Sequence, residues 1–113
     1  MCGISGIFDW NSLKNAEHVA SIMKDAQDHR GPDFNSTYKD ENILISHNRL
    51  SIIDLDHHSN QPMHDNLGDV IISYNGELYN YLNLKSELEA TYSFKTQSDT
   101  EVIIASYLKW GIR

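Results

Sequence analysis

With 113 residues, 40% of them hydrophobic and 22% charged, the chain has the composition of one small globular domain whose core has little volume to spare. Nine Lys and Arg against sixteen Asp and Glu leave a formal net charge of −7, which argues against non-specific binding to nucleic acid or anionic membranes, since either needs a basic patch. No run approaches the ~20 apolar residues that span a bilayer, no basic segment followed by an apolar one marks a signal peptide, and a single unpaired cysteine fits a reducing cytoplasm.

The first predicted strand covers residues 2–8, where Ile4, Ile7 and Phe8 are apolar and Gly3 and Gly6 permit close backbone approach. Leu13, Ala16, Val19, Ala20, Met23 and Ala26 recur at helical spacing and predict a helix over 13–28. His29-Arg30-Gly31-Pro32-Asp33 ends it, because Gly-Pro punctuates a chain and Pro cannot continue the helical ladder. Asn35-Ser36-Thr37 matches a glycosylation sequon, inert without secretion. Residues 43–48 and 50–55 read as two short strands or one bent strand, and Val70-Ile71-Ile72-Ser73-Tyr74 as the strongest strand of the chain. Asn75-Gly76 behind it is a turn dipeptide that tolerates positive φ.

A helix follows over 80–90, with Tyr81, Leu84 and Leu88 on one face, and then a short strand over 94–96. Ser98-Asp99-Thr100-Glu101 fits a capping box, the Ser side chain bonding forward and Glu101 reaching back. Val102, Ile103, Tyr107 and Trp110 carry the last helix to Gly111. Trp10, Tyr81, Tyr107 and Trp110 read as core or interface aromatics. Strands alternate with helices, so the class is mixed α and β.

Cys2 stands directly behind the initiator methionine. Removal of Met1 would leave a thiol and a free α-amine on one residue, a nucleophile beside a proton acceptor whose ordinary pKa is about 7.7–8.0. That is the logic of N-terminal nucleophile hydrolases. No metal site is expected: His57 and His58 are adjacent and point apart on a strand, and no Cys or acid completes a ligand set with His64 at standard spacing. His29 and His47 are expected to fix loops by hydrogen bonds rather than to move protons, and Tyr74 and Tyr79 flank the Asn-Gly turn, where either could wall a pocket.

Five segments carry more together than singly: Met1-Cys2-Gly3-Ile4, His29 to Asp33, His47-Asn48-Arg49-Leu50-Ser51-Ile52-Ile53-Asp54, Tyr74-Asn75-Gly76-Glu77-Leu78-Tyr79-Asn80, and Ser98-Asp99-Thr100-Glu101-Val102-Ile103. Alone, Asn75-Gly76 is only a turn, Arg49 a surface cation, Glu77 a solvated acid and Asp99 a helix-start acid favoured by the macrodipole. In this order and spacing they resemble the glutaminase domain of the glutamine-dependent asparagine synthetases, a class II glutamine amidotransferase, over residues 1–111. Gln61-Pro62-Met63 also matches the family pattern, and Leu78 stands where Ile is usual, a swap of similar volume.

The resemblance implies a fold, a chemistry and a site. The fold is α+β, an αββα sandwich of the N-terminal nucleophile hydrolase type, with residues 1–113 forming its N-terminal part and further strands and the synthetase domain lying outside a fragment. Cys2 attacks the side-chain amide of glutamine, the Asn75 amide and the Gly76 N–H hold the oxyanion, Arg49 pairs with the α-carboxylate, and Glu77 and Asp99 hold the α-ammonium. Peptide-linked glutamine is then a poor substrate, because its amide termini leave these charges unpaired. Ammonia passes to a synthetase domain, in cis or in trans, that activates aspartate; ATP and Mg are expected only there, with no cofactor in this chain, and a homodimer is an open assembly. Two alternatives stand beside this reading: a non-catalytic glutamine-binding or truncated remnant, and an amidotransferase serving a different acceptor such as a sugar.

Overall fold

Strand β3, Ile43–Arg49, is the spine of the fold. In this computed structural model, which describes residues 2–50 and 57–112, β1 (Gly3–Phe8) and β2 (Phe34–Lys39) flank it in a three-stranded antiparallel sheet of order β1-β3-β2. The register runs from Gly3 opposite Asn48 to Phe8 opposite Ile43, and from Phe34 opposite Arg49 to Lys39 opposite Leu44. Because successive side chains of a strand point to opposite faces, Leu44, Ser46 and Asn48 share one face of β3, and Ile45, His47 and Arg49 the other.

Helix α1, Ala16–Ala26, covers the first face: Ala16 and Ala20 bury Leu44 with Leu13 and Met23 at the margin, and the Asn48 side-chain amide donates to the Lys24 carbonyl at 3.2 Å. The helix is shorter than its periodicity predicts. Asn15 takes a left-handed conformation, φ 53, and the Leu13 N–H bonds instead to the Glu41 carbonyl at 2.9 Å, so the apolar series begins in a loop tied to the β2–β3 hairpin.

A second sheet, β4 (Met63–His64) paired antiparallel with β5 (Ile71–Ile72), lies against the other face. Tyr38 of β2 meets His64 edge-on with ring centroids 5.5 Å apart, and Ile4, Gly6 and Ile45 share a cavity with Ile71 and Ile72. Helix α3, Asp99–Trp110, packs on β4 and β5 and closes the layers, and α2, Tyr81–Leu88, packs on α3 around a core of Leu88, Val102 and Ala105. Asp65 closes the β4–β5 hairpin by accepting from the Val70 N–H at 2.8 Å and, more loosely, from the Leu67 N–H at 3.4 Å; these backbone bonds hold its carboxyl below the usual range. The architecture is α+β.

The differences from the predicted elements have local causes. Strand β2 is absent from the sequence reading because neither of its faces carries an apolar series; the backbone ladder and a 2.8 Å contact between the Thr37 and Ser46 hydroxyls hold it. The strand expected over 70–74 contracts to Ile71–Ile72, since Gln61 and His47 take the Tyr74 N–H and carbonyl out of the ladder. The strand expected over 94–96 does not form: the Lys95 and Thr96 N–H groups donate to the Glu101 carboxylate at 2.9 and 2.7 Å. That contact also halves the expected capping box. Ser98 accepts from the Thr100 N–H at 3.2 Å as anticipated, while Glu101 turns to the preceding loop rather than to Ser98. Helix α2 sits within its expected span, and α3 ends at Gly111, whose φ of 74 suits a residue without a Cβ. Of the strand expected over 50–55, Leu50 is not in a strand and the remainder lies outside the described residues. Trp10 is 85% exposed and belongs to no core, resting edge-on against Phe8. Tyr81 packs beside Leu88, and Tyr107 and Trp110 are exposed.

The His29 to Asp33 segment crosses the C-terminal end of β3 at close range. A Cβ placed on Gly31 would lie 2.1 Å from the Asn48 carbonyl oxygen and 2.6 Å from the Arg49 nitrogen, both backbone atoms that cannot move aside cheaply. The Asp33 N–H donates to the Arg49 carbonyl at 3.0 Å, and Arg30 Nε donates to the Cys2 carbonyl at 3.3 Å. One segment thus locates both Cys2 and Arg49. Gly31→Ala should lower stability by about 1–3 kcal/mol, read from urea midpoints at constant m, and an unchanged midpoint would refute the close approach.

His47 is 1% exposed; its Nε2–H donates to the Tyr74 carbonyl at 3.1 Å and its Nδ1 has no partner. Burial, with the nearby Arg49 charge, pulls its pKa below the ordinary 6.5, the Tyr74 bond opposing. The unfolded chain therefore takes up a proton at His47 near pH 6.5 that the folded chain refuses, so this contribution to stability is intact above that pH and falls as pH drops through it. Asp65 acts in the same direction but only in the acid range, below its ordinary 3.8. Denaturation midpoints measured from pH 7.5 down to about 5 should decline in the wild type and flatten in His47→Gln, which keeps an N–H donor and removes the titration; parallel profiles would count against this assignment.

Candidate active site

One cleft gathers residues from every part of the chain: Cys2 at the start of β1, Arg49 at the end of β3, Gly76 and Glu77 in the loop after β5, and Asp99 at the start of α3. Of the six residues expected at the site, these five bound it. Asn75 does not: Tyr74 and Gly76 on either side line the cleft, while Asn75 between them is half-buried and not among the lining residues.

The sheet places the thiol. Gly3 pairs with Asn48, so the antiparallel register carries Cys2 to the level of Arg49 at the end of β3. The Leu50 N–H donates to Cys2 Sγ at 3.2 Å, and Sγ lies 3.6 Å from the Leu50 carbonyl oxygen. Arg49 is 7% exposed, and its Nη1 donates to the Asn60 side-chain oxygen. A guanidinium held inside a chain of net charge −7 makes this cleft locally suited to a carboxylate.

The loop over 73–78 lacks a sheet to hold it, and side chains do so instead. His47 holds the Tyr74 carbonyl, which accords with a loop-fixing role; His29 is exposed. The Gln61 carbonyl oxygen accepts from the Tyr74 N–H, and Asp99 Oδ2 accepts from the Leu78 N–H at 2.8 Å. Asp99 is buried at the first turn of α3, where its charge also complements the helix dipole. Glu77 is exposed on the cleft rim.

Neither Asn75 nor Gly76 uses positive φ. The Tyr74 ring folds over Gly76 instead: a Cβ there would lie 2.7 Å from the Tyr74 hydroxyl, and the ring would have to shift to admit it. Tyr74 walls the cleft, while Tyr79 is 89% exposed. Burial, then the charges of Asp99 and Glu77, raise the Tyr74 pKa and keep its hydroxyl protonated at neutral pH. Sequence reasoning missed Gln61, Ser59, Ser98 and Thr100 as cleft residues. Gln61, in the Gln-Pro-Met match, and Ser98 and Thr100, in the last of the five segments, carried a signal, but it pointed to family or helix start rather than to the cleft. Among the described residues no group of three or more His, Cys, Asp or Glu could hold a metal ion, and no helix is long and apolar enough to cross a membrane.

Comparison with known proteins is consistent along the whole length. A family model described as a glutamine amidotransferase domain matches residues 1–113. Asparagine synthetase [glutamine-hydrolyzing] 1 of Bacillus subtilis is 40% identical over 95% of this chain and 17% of its own length. Asparagine synthetase B [glutamine-hydrolyzing] of Escherichia coli is 36% identical over 98% of this chain and 20% of its own. Amidase chry2 of Gibberella zeae is 36% identical over 99% and 18%. The chain therefore spans about a fifth of the length of these relatives. Matched from end to end by the family model, and carrying a thiol, a guanidinium and two carboxylates in one cleft, the chain belongs to the glutamine amidotransferase domain family.

Proposed function

We propose that this domain hydrolyses the side-chain amide of free glutamine through a thioester on Cys2 and delivers the ammonia to an acceptor-activating synthetase domain. The observation that carries the reading is the cleft itself, where the thiol faces Arg49, Gly76, Glu77 and Asp99 drawn from separate elements. The names of the bacterial relatives, glutamine-hydrolysing asparagine synthetases, support aspartate as the acceptor. The Gibberella relative, named an amidase, keeps a different acceptor as the second reading.

After Met1 is removed, the Cys2 amine takes the thiol proton and the sulfur bonds to the amide carbon of glutamine. The carbonyl oxygen becomes an oxyanion facing the Gly76 N–H and the Asn75 amide, which must turn into the cleft on binding. The ammonium returns its proton to the nitrogen as the carbon–nitrogen bond breaks, releasing ammonia and leaving the thioester. Water then gives a proton to the amine and attacks the carbonyl, and sulfur leaves as the thiol with glutamate as product. Arg49 takes the substrate carboxylate, and Glu77 and Asp99 its ammonium, which fixes the amide carbon above sulfur.

The layering of α1, the three-stranded sheet, the two-stranded sheet and α3 supports the αββα sandwich of the N-terminal nucleophile hydrolases. ATP and Mg would serve the acceptor domain. No step above runs through either.

Cys2→Ala should abolish ammonia release from glutamine, and intact mass should show the active protein lacking Met1; activity in a Met1-retaining protein would refute the amine's role. Asn75→Ala should lower kcat by roughly 10²–10³-fold, the usual cost of one oxyanion donor. Arg49→Lys should act chiefly on KM for glutamine, raising it on the order of tenfold by loss of the bidentate fork.

A further inference from the structure

The loop over 73–78 leaves β5 after a two-residue strand, yet it must hold Gly76 at a fixed place on the cleft. A single buried amide ties the start of that loop to the far side of the site. Gln61, 7% exposed, accepts from the Tyr74 N–H through its carbonyl oxygen and donates through Nε2 to Thr100 Oγ1 at 3.1 Å. Thr100 follows Asp99, whose carboxylate holds the Leu78 N–H at the other end of the loop. Both ends of the loop are thereby fastened to the first turn of α3.

We infer that Gln61 is a positioning residue that sets the oxyanion-binding stretch against the ammonium-binding end of the cleft, an inference that rests on the hydrolytic reading above. An amide meets both groups at once, accepting from the backbone N–H and donating to the hydroxyl oxygen. Its loss would shift the loop without releasing it, since His47 still holds the Tyr74 carbonyl at 3.1 Å and Asp99 still holds Leu78. Arg49 and Asp99 lie outside the loop, and Glu77 adjoins Leu78, whose N–H Asp99 still holds, so the ground-state contacts stay where they are. The loss then falls on the oxyanion, which exists only in the transition state, and so on kcat.

The test uses the full encoded polypeptide and two probes. Glutamate reads ground-state binding. The γ-semialdehyde of glutamate reads the oxyanion, because Cys2 sulfur adds to its carbonyl carbon and the thiol proton ends on the new hydroxyl, leaving that oxygen at the oxyanion position. Gln61→Leu should lower kcat and semialdehyde affinity together by on the order of 10²-fold, the scale of a 1 Å misplacement, with KM and glutamate affinity held within about threefold. Gln61→Glu should restore most of the loss, since a carboxyl oxygen can take the Tyr74 N–H and the Thr100 hydroxyl can reverse its role. Should Gln61→Leu fail to fold, Thr100→Val against Thr100→Ser poses the same question. Equal losses in semialdehyde and glutamate affinity, or wild-type kcat in the Leu and Val variants, would overturn the inference. Wild-type protein that binds the semialdehyde no better than Cys2→Ala does would instead overturn the hydrolytic reading, and this inference with it.

Discussion

A strand shows alternate residues to opposite faces, and β3 puts a different task on each. Leu44 anchors the face under α1, where Ala16 and Ala20 complete a small core, and Asn48 on the same face bonds the helix backbone. The opposite face carries His47 and Arg49, one holding the loop over the cleft and the other lining the cleft itself. A slip of one residue in the pairing with β1 would exchange these faces, burying the cation under the helix and turning Leu44 to the site. The register of Gly3 on Asn48 also decides where Cys2 arrives, so the ladder that stabilises the sheet is the ladder that delivers the thiol.

Beyond β3 the sheet contributes less and polar side chains contribute more. The second sheet is two residues long in each strand, and the segments that follow it have few ladder bonds of their own. Backbone groups left unpaired in a half-buried region cost free energy, and Gln61, His47, Asp99 and Glu101 meet that need one by one. Each such bond has a direction and a length, unlike apolar packing, and so fixes the position of the atom it holds. A cleft that must present backbone N–H groups to a substrate is well served by that kind of support.

Four acids of this chain are divided between two uses. Glu101 and Asp65 are turned inward on backbone N–H groups and stabilise loops. Glu77 stays on the rim of the cleft, and Asp99 serves both ends, bonding the loop while lining the cleft. The acidic balance that argues against polyanionic partners therefore coexists with a buried Arg49 in a site suited to a small zwitterion.

What the sequence determined by itself was the chemical vocabulary and the elements with a strong local period. Cys2, Arg49, Gly76, Glu77 and Asp99 were legible through the resemblance that their five segments carry together, α1 and α3 from their apolar series, β1 from its apolar residues and glycines, and β3 from its apolar residues. Tertiary structure alone decided the rest. Strand β2 exists because β3 offers it a backbone edge, and no pattern in its own residues announces that. Glu101 leaves its expected cap for the Lys95 and Thr96 N–H groups, and Gln61 finds Tyr74 and Thr100, because side-chain hydrogen bonds choose partners by distance in space. Local periodicity records which face of an element is buried; it holds no record of which distant backbone group a buried amide or carboxylate will meet.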